Sequence, residues 1–270
     1  MSSQLPPAEW PTFTEKEENC VARSLPRSDA PAVRVLSVRA GYVLLLTYSD
    51  ESRHILKVSG EGGPQEVEAE FAALRALGGG YADRISGFSS EGDVVTICLH
   101  WVDAASLGTR WSEGPSLDIA HRRADLRLVA HELDRIHEAG WIHGDLQPTH
   151  IRFADDAALF IDFGMAGSPG ISYGGGLIHY FAPEYASSVL QTGRATRTAA
   201  GDWYALLASA FVALTRTVPV RYPEAAERTD RLDAIAQSRI DPHEWDDPYA
   251  RELAEALLLP AQERKAWVMS

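Results

Sequence analysis

Residues 142 to 153 read IHGDLQPTHIRF. Positions 142–150 hold two histidines, an aspartate and a proline. Whether they form a catalytic loop, and why that loop ends on His150, depends on what flanks them. Upstream, ADLRLVAHELDRIHEAG (124–140) has the spacing of an amphipathic helix and is closed by Gly140. Downstream, HIRF (150–153) and ALFID (158–162) read as two short strands.

Working outward, Asp162 in IDFG lies 17 residues after Asp145, and APE (182–184) begins 20 residues later. A Gly/Ser-rich loop, GMAGSPGISYGGG (164–176), lies between them. AAGDWYALLASAFVALT (199–215) is hydrophobic nearly all round and predicts a buried helix. DPYARELAEALLL (247–259) is the last helix expected. Toward the N-terminus, VRVLSV (33–38), YVLLLTY (42–48) and RHILKV (53–58) predict three antiparallel strands. PQEVEAEFAALRAL (64–77) has apolar residues at 67, 71, 74 and 77 and ends at Gly78-Gly79-Gly80, which predicts a helix. DVVTICLHW (93–101) is a further strand. The expected organisation is a loosely structured arm (1–30) with one short helix (12–23), a β-rich lobe (31–101) and an α-rich lobe (102–270). A hinge near 100–104 joins the two lobes. The fold class is α+β.

Composition narrows the function. The chain has 270 residues, 45% hydrophobic and 23% charged, as in an ordinary globular protein. Its net charge of −13 argues against a nucleic-acid or membrane-surface role, since both need a basic face. No basic-then-apolar leader and no long apolar span are present, so the expected location is cytoplasmic. Cys20 and Cys98 make neither a disulfide framework nor a zinc site. Of the 25 basic residues only Lys16, Lys57 and Lys265 are lysines, so a lysine on a central strand is informative.

The ordered set Lys57, HGD, IDFG and APE resembles the signature of the protein kinase family. The resemblance runs from about residue 33 to the C-terminus and implies a bilobal kinase-like fold using ATP with Mg²⁺ or Mn²⁺. It makes Asp145 the residue that orients the acceptor hydroxyl and takes its proton, and Asp162 the metal ligand. Lys57 becomes the phosphate-binding lysine, paired with Glu70 or, as second choice, Glu66 one turn earlier. Gly41 and Val43 match the end of the phosphate-covering loop, and His100 and Val102 in HWVDAASL become nucleotide contacts at the hinge. Asp202 would brace the catalytic loop, Glu184 would pair with Arg264, and His143 would pack beneath the IDFG turn. His131 and His137 read as surface or packing residues, and His179 as a candidate substrate contact.

Four departures stand out. Leu36 and Val38 replace the first two glycines of the phosphate-covering loop, which puts its grip on ATP in doubt. Gly144 replaces the arginine that holds an activating phosphate, so Ser168, Ser172 and Tyr173 read as plain loop residues. Gln147 replaces a loop lysine and removes one positive charge. His150 replaces the asparagine that binds a second metal ion. His150 either ligates a metal itself, with a taste for Mn²⁺, or only hydrogen-bonds Asp145 or phosphate, or marks a decayed site. The resemblance implies transfer to a Ser/Thr hydroxyl of a protein or peptide, such as a natural-product precursor peptide. The alternatives are a pseudokinase scaffold and a small-molecule phosphotransferase. The third is favoured by HGD and the missing lysine and disfavoured by APE.

Overall fold

A computed structural model describes residues 10–39, 41–60, 63–113, 118–154, 157–173, 176–223 and 225–270. Residues 1–9 of the expected arm, 174–175 of the glycine-rich loop and the Tyr173 side chain lie outside that description. The chain divides into two compact units between Val102 and Asp103.

The first unit holds α1 (Glu15–Ser24), β1 (Ala32–Ser37), β2 (Gly41–Thr47), β3 (Arg53–Ser59), α2 (Gln65–Leu77), a single turn α3 (Gly79–Ala82), β4 (Ile85–Glu91) and β5 (Val94–His100). The strands form one antiparallel sheet in the order β1-β2-β3-β5-β4. Strand alternation gives each face its own helix. Val43, Lys57 and Ile97 are register partners on one face. That face meets α2, where Phe71 stacks on Phe88 with centroids 3.7 Å apart. Leu44, Leu46, Leu56, Val58 and Cys98 form the other face and bury Phe13, Cys20 and Val21.

The N-terminal segment is therefore not a loose arm from Thr14 onward. Thr14 and Glu17 form a capping box, and Cys20, Val21 and Ser24 of α1 are fully buried against β4 and β5. The Ser24 and Thr96 hydroxyls hydrogen-bond each other, one donating and the other free to donate to the Cys20 carbonyl oxygen, which lies 2.9 Å from Ser24 Oγ and 3.2 Å from Thr96 Oγ1. The close approach requires a glycine on β4. A Cβ on Gly87 would sit 1.9 Å from the Ser24 carbonyl oxygen. Strand β4, ISGFSSE, was not expected, because a glycine and three serines hide its period.

The second unit holds β6 (Ala105–Ser106), α4 (Leu107–Glu113), α5 (Ile119–Glu138), β7 (Ile151–Ala154), β8 (Ala157–Phe160), β9 (Ser172–Tyr173), α6 (Pro183–Thr192), β10 (Ala195–Thr196), α7 (Ala199–Thr215), α8 (Arg228–Ala236), α9 (Pro248–Leu257) and α10 (Ala261–Met269). Helix α7 lies at its centre, with α4, α9 and α10 packed on it. Helix α5 starts five residues before the expected 124, capped by Asp118, which accepts from the His121 N–H. Helix α10 follows the last helix expected and carries Arg264, whose guanidinium reaches Glu184 at 2.7 and 3.3 Å. The same guanidinium lies 5.0 Å from the ring of the fully buried Tyr204 on α7, so Arg264 ties α6, α7 and α10 together. Both cysteines are free and buried. Among the described residues no helix is long and apolar enough to cross a membrane.

Val21→Ala is expected to destabilise the first unit by about 2 kcal/mol, the usual scale for truncating a buried aliphatic side chain. Urea unfolding followed by fluorescence reads this. An unchanged midpoint would mean that α1 does not belong to the sheet's core.

Candidate active site

Each unit carries one group of the expected site residues. In the first, Lys57 Nζ lies 2.6 Å from Glu70 Oε2, with side-chain exposures of 15% and 1%. Lys57 stands mid-strand on β3, flanked across the ladder by Val43 and Ile97. Glu70 sits on the buried stripe of α2 with Val67, Ala73, Leu74 and Leu77. Glu70, the first choice among the glutamates weighed from the sequence, forms an ion pair with Lys57.

Gly41 opens β2 at φ +141°, and a Cβ there would lie 2.1 Å from the Val58 carbonyl oxygen. Packing alone therefore demands a glycine. Leu36 and Val38, in place of the missing glycines, are exposed. The hinge residue His100 pairs with His54, and its ring packs on the His54 ring with centroids 4.7 Å apart. That places the His100 side chain on the sheet face opposite Lys57, so a nucleotide on the Lys57 face could meet only its backbone. Its N–H already donates to Arg84 O at 2.8 Å. Val102, the last residue of the first unit, is half-buried.

In the second unit the loop between α5 and β7 holds Asp145, and the turn after β8 holds Asp162. Asp202 clamps the loop's start. Its carboxylate accepts from His143 N–H (2.8 Å), Gly144 N–H (3.0 Å) and His137 Nε2 (3.0 Å). His143 is wholly buried. Its Nε2 donates to Ile161 O at 3.1 Å and its ring lies 4.7 Å from that of Phe163. Burial pushes its pKa down to about 4, so the imidazole stays neutral at ordinary pH. His137, read from the sequence as a packing residue, is a ligand of the clamp. Its place six residues before His143 gave no signal of that.

Gly144 has φ +78°, and a Cβ there would lie 2.7 Å from Met165 O. An arginine cannot occupy this backbone without moving the IDFG turn. Asp162 itself has φ +65°, a left-handed conformation that Asp tolerates better than most residues.

The Asp145 carboxylate accepts from Gln147 Nε2 at 3.3 Å and from the Leu177 N–H. Burial raises its pKa, and the charge of Asp162 adds to the rise. His150 and the two hydrogen bonds oppose it. The net rise makes Asp145 a stronger base than a surface aspartate.

His150 is 12% exposed, with Nδ1 2.9 Å from the Asp145 carbonyl oxygen. A carbonyl only accepts, so Nδ1 carries the hydrogen. Nε2 faces Asp162 Oδ2 3.5 Å away, as an N–H in the imidazolium or with its lone pair in the neutral ring. Two acceptors at that separation call for a proton or a cation between them. His150 and Asp162 therefore fit a divalent ion of the kind kinase chemistry uses. The imidazole nitrogen favours a transition metal such as Mn²⁺ over Mg²⁺. Among the described residues no third His, Cys, Asp or Glu joins them, so oxygens of a bound phosphate or water must complete the shell.

The family model described as the lipopolysaccharide kinase (Kdo/WaaP) family matches residues 67–168. That stretch takes in Glu70, Asp145, His150 and Asp162, but not Lys57. No curated protein matches the chain. That family belongs to the protein kinase-like superfamily; the five-stranded antiparallel sheet and the helices of this chain are consistent with a kinase-like α+β fold, and the match supports a kinase-type phosphotransferase activity.

Lys57→Met removes the cation from an almost wholly buried carboxylate, and is expected to cost about 3–5 kcal/mol of stability. Pairing it with Glu70→Leu should recover most of that loss. Urea unfolding of the two variants reads both, and a single-variant cost below about 1 kcal/mol would mean that the pair is effectively solvated. For the metal, calorimetry with a non-hydrolysable ATP analogue should show Mn²⁺ preferred over Mg²⁺ by about tenfold or more. His150→Asn should shrink that preference. An unchanged preference would remove His150 from the metal's shell.

Proposed function

We propose that the protein transfers the γ-phosphoryl group of ATP to a hydroxyl of an anionic carbohydrate. One observation carries the choice of acceptor. Gly176 and Leu177, which line the small cavity at Asp145, also line a pocket of about 400 Å³ reaching His179, Arg228 and Arg231. Two guanidinium groups against the single carboxylate of Glu227 make that pocket suited to an acidic group on the molecule whose hydroxyl meets Asp145. The match to a family described as lipopolysaccharide kinases supports the same class of acceptor.

The residues divide the work as follows. Asp145, with its raised pKa, takes the proton of the acceptor hydroxyl. Gln147 and the Leu177 N–H hold its carboxylate in place. Lys57, fixed by Glu70, offers its ammonium to nucleotide phosphate. His150 and Asp162 would hold the divalent ion, which when bound neutralises phosphate charge. A Ser/Thr protein or peptide acceptor is the second reading. It is favoured by the Glu184–Arg264 anchor beneath the APE helix, a feature of the protein-kinase resemblance.

The test is transfer of label from γ-³²P-ATP with Mn²⁺ or Mg²⁺. One arm uses delipidated lipopolysaccharide core oligosaccharide and the other a Ser/Thr peptide library. Label in the oligosaccharide is expected, falling about 10²–10⁴-fold in Asp145→Asn, the usual worth of a positioned base. Label in peptides alone would replace the carbohydrate reading with the second one. Absence of nucleotide binding would sink both.

A further inference from the structure

Outside the site described above, the second unit has a partly open pocket of about 140 Å³ formed by α5, α9 and α10. Leu126, Trp267 and Val268 form its apolar wall, and Arg123, Arg127, Tyr249, Glu252 and Ser270 its polar one. Tyr249 has no solvent exposure, and its hydroxyl has no hydrogen-bond partner among the described residues. A buried hydroxyl left in that state is costly unless something else completes it.

The charge around that phenol is also unbalanced. Arg122, Arg123, Arg127 and Glu252 are the groups whose charges act on it, three guanidiniums against one carboxylate. Glu252 is already engaged by Arg123. The Arg127 side chain makes no hydrogen bond or ion pair among the described residues, and Arg122 Nε is buried without a hydrogen-bond partner among them. In a chain of net charge −13, three arginines converging on one buried hydroxyl form a local cationic site. The volume is close to the roughly 150 Å³ cavity that holds a benzene ring.

We propose that this pocket binds a small organic oxyanion, with its carboxylate or phosphate group on Arg127 and Tyr249 and a compact apolar body against Leu126, Trp267 and Val268. Guanidinium and phenol hydroxyl are both donors, which complements an acceptor-only group. The site does not depend on the kinase reading, since Lys57, Asp145, His150 and Asp162 take no part in it.

Calorimetry on the full chain without divalent metal, using phenyl phosphate, benzoate and neutral benzyl alcohol as probes, tests this. At least one anion should bind one-to-one with Kd at or below about 1 mM. Benzyl alcohol should not. The tighter of the two anions identifies the anionic group preferred. Arg127→Gln should weaken binding about tenfold and the near-isosteric Tyr249→Phe about threefold, whereas Asp162→Asn should leave it unchanged. Failure of both anions to bind at 10-fold higher concentration (about 10 mM) would overturn the proposal. So would equal binding by wild type, Arg127→Gln and Tyr249→Phe. Loss of binding in Asp162→Asn would place the anion at the other site and overturn it as well.

Discussion

The second unit depends on one buried carboxylate. Helix α7 is apolar almost throughout, yet places Asp202 at 2% exposure. An ionised group there would be costly by several kcal/mol if left alone. Three N–H donors converge on it instead, two from the backbone of the loop after α5 and one from His137 on α5 itself. The arrangement works both ways. The donors keep the charge stable in the core, and the charge fixes where the loop leaves α5. The positive φ at Gly144 follows from this, because the chain must turn sharply to bring two successive N–H groups onto one carboxylate.

From that anchored start the loop delivers Asp145 and His150 within reach of Asp162. His143 below them is neutral and spans to Ile161, while Ile161 N–H donates back to His150 O at 3.0 Å. The Ile142–Gly167 bridge closes the other side, with bonds of 2.8 and 3.0 Å. The acids and the imidazole are therefore held by backbone hydrogen bonds rather than by one another. This matters because their mutual interactions are partly unfavourable. The two carboxylates repel, and with Nδ1 hydrogen-bonded to a carbonyl, His150 in its neutral form faces Asp162 with a second acceptor. A site in which preorganised acceptors crowd together is one built to receive positive charge.

Residues 165–171, just after the IDFG turn, are held in place without an arginine at position 144. Arg197 takes part through its side chain and its backbone. Its Nε donates to Met165 O at 2.9 Å, its carbonyl accepts from Gly170 N–H, and its N–H donates to Ile171 O, both at 3.0 Å. The short β9–β10 ladder continues that pairing. These are fixed contacts, and none of them requires an added phosphate.

Much of this was legible in the sequence. Short apolar runs rich in β-branched residues predict β1, β2, β3 and β5, and a stretch hydrophobic nearly all round predicts α7 to the residue. The order of Lys57, Asp145 and Asp162 along the chain points to the superfamily, because these residue types have few other reasons to recur at such spacings. What stayed hidden was whatever depends on approach in space. Helix α1 joins the core only because Gly87 lets Ser24 come close, and β4 is recognisable only once α1 and β5 cover it. His137 looks like any helix histidine until α7 brings Asp202 beside it. The role of His150 turns on which ring nitrogen carries the hydrogen, and a carbonyl five residues back decides that. Sequence specifies local periodicity and chemical type, since both are properties of neighbours along the chain. Tautomer, clamp and pocket arise only when distant segments meet, so the tertiary structure alone decided them.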